Sequence, residues 1–101
     1  MVSDTSVAKK YIQIHDSAKS RGIKFDMSLK KVRQLLTRKT CYFTGQPFDS
    51  KNVRSFDRLN NEVGYIDSNV VACGQIINSR KGSLSLIELR QIYKGTKHIK
   101  I

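Results

Sequence analysis

Tryptophan is absent, proline occurs once, at Pro47, and cysteine only twice, at Cys41 and Cys73. Two cysteines cannot supply a four-cysteine zinc site, so no structural zinc is expected. The opening MVSDTSVAKK carries no apolar leader, which makes two reduced, packed thiols in a cytoplasmic protein the expectation rather than a disulfide. No stretch approaches the roughly 20 apolar residues that a spanning helix needs. Nor does any segment join a basic face to a bulky Trp-bearing one, so a membrane partner is not expected. Acidic residues are scarce as well: 8 Asp+Glu against 19 Lys+Arg give a formal net charge of +11 over 101 residues. Such an imbalance points to a polyanionic partner, DNA first, with RNA or an acidic protein left open.

What is present reads as one α+β domain in three parts. Residues 1–39 hold two basic helices. In the first, capped by Ser3, Asp4 or Thr5, Val7, Tyr11, Ile14 and Ala18 share an apolar face. In the second, capped by Ser28, Leu29, Val32, Leu35 and Leu36 are the buried residues. Its other face collects Lys30, Lys31, Arg33 and Arg38 and continues into Lys39. This is the densest basic cluster in the chain and its candidate phosphate-binding surface. Residues 83–101 begin with the capping box Ser85-Leu86-Ile87-Glu88, followed by a helix expected to pack through Leu86, Leu89, Ile92 and Tyr93. The tail from Thr96 to Ile101 is expected to fray or to add a strand.

Residues 40–82 hold the chemistry. Thr40 to Phe43 reads as a strand, Thr44-Gly45-Gln46-Pro47 as its turn, and Ser55 to Leu59 as the second strand of an antiparallel ribbon. Alternation along that strand sets Phe56 on one face and Asp57 on the other. After the polar loop Asn60-Asn61-Glu62-Val63-Gly64, the residues Val70, Val71, Cys73, Ile76 and Ile77 recur at helical spacing. A helix capped within Asp67-Ser68-Asn69 is therefore expected, with Gly74 inside it and Asn78, Arg80 and Lys81 on its last turn. Four of the eight acids, Asp49, Asp57, Glu62 and Asp67, fall in this region. A carboxylate on a strand facing an amide on a helix suits one hard cation, because magnesium takes one or two protein oxygens and leaves its other positions to water and phosphate.

From Cys41-Tyr42-Phe43-Thr44-Gly45 through S-F-D-R-L-N-N…G-Y…N-V-V…N-S-R-K-G, the pattern resembles the HNH endonucleases, especially their short phage-type members, over about two-thirds of the chain. The resemblance implies a ββα-metal core with flanking helices on both sides. It makes Asp57 and Asn78 the ligands of Mg2+ or Mn2+, and Asn69 the asparagine that braces the loop. Arg58 stands where active members usually carry the water-activating histidine; an arginine cannot act as a base near neutral pH but can hold phosphate. Arg58, Arg80 and Lys81 thus join the basic cluster as expected nucleic-acid contacts, and Asp57, Arg58, Asn69 and Asn78 form the expected catalytic set. The function implied is metal-dependent hydrolysis of DNA phosphodiester bonds. The alternative is a catalytically inactive HNH-fold protein that binds DNA or regulates a host protein.

Overall fold

The computed structural model describes residues 2–99. Ser3 accepts the Ser6 N–H at 3.1 Å and opens α1, Asp4–Ser20, which buries Val7, Ile14 and Ala18 along one face. After Gly22, whose φ of 66° lets the chain double back, come the short β1, Phe25–Asp26, and α2, Leu29–Thr37. Ser28 caps α2, and its buried side is Val32 and Leu35. A long irregular segment leads to β2, Arg54–Arg58. Then follow β3, Tyr65–Ile66, a 3-10 turn over Asp67–Asn69, β4, Val70–Gly74, α3, Gln75–Lys81, and α4, Leu86–Thr96. The described residues form an α+β domain of four helices and two small two-stranded sheets: β1 runs parallel to β3, and β2 antiparallel to β4.

One core serves α1, α2 and the β2–β4 sheet. Val7, Ile14 and Ala18 meet Val32 and Leu35, and Val70 and Ala72 close the cluster from the sheet, with Phe56 packed alongside. In register, Phe56 lies opposite Ala72 and Asp57 opposite Val71. The pleat therefore turns Phe56 and Ala72 toward the core and leaves Asp57, Val71 and Cys73 on the other face.

Three expectations are corrected here. Val70, Val71 and Cys73 lie on a strand, and α3 begins only at Gln75. All five residues of β4 are buried, so the polar–apolar alternation that would betray a strand is missing. A run this short and this apolar fits a buried strand and a buried helix turn equally well. Residues 40–43 do not pair with β2. They make a bridge from Thr40 to Pro47 and touch β4 through the Tyr42 N–H, which donates to the Ala72 carbonyl at 2.9 Å, and the Cys41 Sγ, which accepts the Gly74 N–H at 3.3 Å; β4 takes the place beside β2 that they were expected to fill. Gly74 is not inside a helix. It ends β4, where a Cβ would collide with the Asn52 side chain, itself held on the Pro47 carbonyl at 2.8 Å.

A fourth correction concerns α4. Its capping box forms as the sequence implies, and hydrogen bonds from Ser85 hold the Glu88 carboxyl below its ordinary range. Its expected packing face is covered only in part: Leu86 and Leu89 are half-buried, α4 fully buries no residue, and Ile92 and Tyr93 stand exposed. The domain measures 47 × 30 × 19 Å, with a radius of gyration of 14.7 Å against about 13 Å for a compact chain of about 100 residues. Of the tail, Lys97–Ile99 form a turn, and Lys100 and Ile101 lie outside the described residues.

Candidate functional site

The face of the β2–β4 sheet turned away from the core is covered by α3, and there Asp57, Asn78 and Lys81 meet. Asp57 arrives from the middle of β2; Asn78 and Lys81 are three apart on α3, one helical turn, and point to the same side. Asp57 is 8% exposed and Lys81 5%, so both charges are withdrawn from water. The Lys81 Nζ stands 3.1 Å from the Asp57 Oδ2, an ion-pair distance at an angle that makes no hydrogen bond, and Nζ has no hydrogen-bond partner among the described residues. The Phe43 ring flanks the ammonium, 5.8 Å from Nζ to its centroid.

The Asn78 amide has two orientations with different chemistry. With its nitrogen toward Asp57 it donates to Oδ1 at 3.0 Å and Oδ2 at 3.3 Å, the orientation a cation-free carboxylate favours. Turned over, it donates to the Ser55 Oγ at 3.3 Å and brings its carbonyl oxygen to 3.0 Å from the carboxylate. Two oxygens at that separation repel unless a cation lies between them. It is also the separation of neighbouring ligands around an octahedral ion with bonds of about 2.1 Å. Asp57 and Asn78 are the two residues here that could offer oxygens to a cation, and Lys81 is paired with the same carboxylate.

The loop after β2 is held by Asn69, 6% exposed. Its Nδ2 donates to the carbonyls of Asn60, Val63 and Gly64 at 3.0, 3.1 and 3.0 Å, and its Oδ1 accepts the Asn60 N–H at 3.0 Å. An amide has two N–H groups, so the three acceptors share them. Arg58 belongs to the same loop. Alternation sends its side chain away from Asp57, and Nη1 donates to the Asn61 and Val63 carbonyls at 2.9 and 3.2 Å, with the guanidinium 5.3 Å over the Tyr65 ring. Arg58 therefore fastens the loop rather than joining the Asp57 cluster.

The remaining expected contacts are scattered. Lys30, Arg38 and Lys39 are exposed and Lys31 is half-buried. Arg33 is committed to the Val2 carbonyl at 2.8 Å and to the Asp4 carboxylate. Arg80 is exposed on the last turn of α3. The expected gathering of carboxylates does not occur. Asp67 reaches back to α2, accepting from the Ser28 N–H and Oγ–H at 2.9 and 2.7 Å, and Asp49 accepts from the N–H groups of Lys51 and Asn52. Among the described residues, no three or more His, Cys, Asp or Glu side chains stand close enough to share a metal. Sequence reasoning missed Lys81 as the carboxylate's partner and Ser55 as the group that holds Asn78. The signal for both was spacing: Ser55 and Asp57 are two apart on a strand, Asn78 and Lys81 three apart on a helix.

Two viral proteins resemble the chain. One is the "Uncharacterized 29.0 kDa protein in dda-modA intergenic region" of Enterobacteria phage T4, 34% identical over 76 residues, covering 72% of this chain and 31% of that protein. The other is "Uncharacterized protein R423" of Acanthamoeba polyphaga mimivirus, 26% identical over 83 residues, covering 82% of this chain and 15% of its own length. The chain spans less than a third of either relative. No family model and no solved structure matches it. Both thiols are free and buried; burial, then the charges of Asp57 and Cys41, pushes that of Cys73 up to about 12.

Proposed function

We propose that this domain is a nucleic-acid-binding protein of HNH type in which Asp57 and Asn78 take one Mg2+ or Mn2+ ion and hydrolyse DNA phosphodiester bonds. The observation that carries the reading is the pairing of a buried carboxylate on β2 with an amide on α3. Their nearest atoms stand 3.0 Å apart, where β2, its antiparallel partner β4 and the following α3 make a strand, strand, helix succession in space. This succession is the candidate ββα-metal core. When bound, the ion would polarise the scissile phosphate and stabilise the leaving oxygen. Asp57 and Asn78 hold and orient it, Ser55 sets the amide's orientation, and Lys81 offers an ammonium whose hydrogen bonds are unspent. Asn69 and Arg58 keep the neighbouring loop in shape. The net charge of +11 supplies the attraction for a polyanion.

The ion pair between Lys81 and Asp57 favours a second reading, in which the trio only fastens α3 to the sheet and the domain binds nucleic acid without cutting it. Incubation with supercoiled plasmid and Mg2+, Mn2+ or EDTA separates the two. Nicking that needs the metal and is lost in Asp57→Ala and Asn78→Ala is the expected result. Binding without nicking under every metal would leave the second reading standing. Because Arg58 faces the loop, Arg58→His is expected to create no new nicking.

A further inference from the structure

A different part of the surface, on the core side of the sheet, gathers cations with no counter-charge. Ser3, Ser6, Lys10 and Gln13 run along one stripe of α1, and with Lys9, Arg54 of β2 and the apolar Val2 and Leu36 they line an open pocket. No carboxylate lines it among the described residues, and Asp4, beside it in sequence, is paired with Arg33. Two of the cations are set in place beforehand. The Lys10 Nζ donates to the Gln13 Oε1 at 3.1 Å and lies 5.1 Å over the Phe56 ring. Arg54 donates from Nη2 to the Arg38 carbonyl at 2.7 Å and lies 4.9 Å over Phe48, while its Nε is buried without a hydrogen-bond partner. Burial, and behind it repulsion from Arg54, holds the Lys10 ammonium below its ordinary pKa. Like charges fixed side by side destabilise a free protein; an anion between them removes the repulsion.

We propose that the Lys9–Lys10–Arg54 pocket is a phosphate-binding site, separate from the Asp57 cluster, that seats one backbone phosphate of the bound nucleic acid. The proposal rests on the nucleic-acid-binding half of the function above and not on its metal or its chemistry. Its test is therefore run in EDTA on the full chain, where no metal is held and no phosphodiester bond is cut. Affinity for a DNA duplex is measured by fluorescence anisotropy across a salt series, and inorganic phosphate is titrated in parallel by calorimetry. Lys10→Met keeps the stem over Phe56 and removes the charge; Lys9→Met is a milder second variant; Lys94→Met on α4 removes the same charge elsewhere. Removing one cation that neutralises a phosphate lowers the slope of log K against log salt by about 0.9. That drop is expected for Lys10→Met and not for Lys94→Met. If Lys10→Met no longer takes inorganic phosphate but binds duplex with an unchanged slope, the site takes a free phosphate and the nucleic-acid assignment falls. Unchanged binding of both ligands, or an equal drop in Lys94→Met, overturns the site.

Discussion

Replacing Lys81 by methionine isolates the energetics of the buried cluster. The ammonium and the Asp57 carboxylate are 3.1 Å apart, and at an effective dielectric of about 20 their attraction is about 5 kcal/mol. Much of that is offset by the cost of withdrawing both charges from water. Removing only the cation leaves the carboxylate buried, and breaking a pair in this way costs roughly 3–5 kcal/mol. Hydrogen bonds donated by the Asn78 amide return part of it, because a bond to a charged group contributes about 1.5 kcal/mol or more. Lys81→Met is therefore expected to lose about 3 kcal/mol, a large share of the roughly 5–15 kcal/mol that holds a domain together. Removing both charges in Asp57→Asn/Lys81→Met leaves no orphan, and the double variant is expected to be more stable than Lys81→Met. Urea unfolding of the four proteins at pH 7 gives the cycle. Additive single costs, or a Lys81→Met within about 1 kcal/mol of wild type, would refute the claim that the two charges stabilise each other in a dry environment.

Two further perturbations test other parts of the site. Asn69→Ala removes the amide that ties together Asn60, Val63 and Gly64 and should cost about 2–4 kcal/mol; amide hydrogen exchange should accelerate over residues 60–66 first, and a uniform acceleration would deny the loop its brace. The Cys73 thiol, raised to about 12 from 9.0, keeps its proton in the folded state after the unfolded chain has lost it. Its contribution is complete below pH 9 and is lost as pH rises from 9 toward 12, at about 1.4 kcal/mol per pH unit. Comparing wild type with Cys73→Ala across that range cancels the lysines and tyrosines, and parallel stability curves would contradict the assignment.

α1, α2 and the start of α4 were legible because their signals are local; the start of α3 was not. Ser3, Ser28 and Ser85 cap as their positions in the sequence imply, and the apolar faces of α1 and α2 follow the helical period. The strand from Ser55 was legible because one face is polar. β4 was not, since both its faces are buried and nothing alternates. The β1–β3 pair joins Phe25–Asp26 to Tyr65–Ile66, segments too short and too far apart in sequence to announce each other. Among the site residues, the meeting of Asp57 with Asn78 was anticipated from the motif. The destination of Arg58 was not, because a residue's type does not say on which side of a pleat its neighbours stand.

The sequence by itself determined the net charge, the helix starts after Ser3, Ser28 and Ser85, and the two oxygen-bearing residues that come together. Those properties reside in single residues or in spacings of a few positions. Only the tertiary structure decided that β4 rather than residues 40–43 pairs with β2, that Lys81 is buried against Asp57 instead of reaching into solvent, that α4 leaves Ile92 and Tyr93 exposed, and that Lys10 and Arg54 stand together. Each depends on interactions between distant segments, and there the pairing of strands and the exclusion of water override local preference.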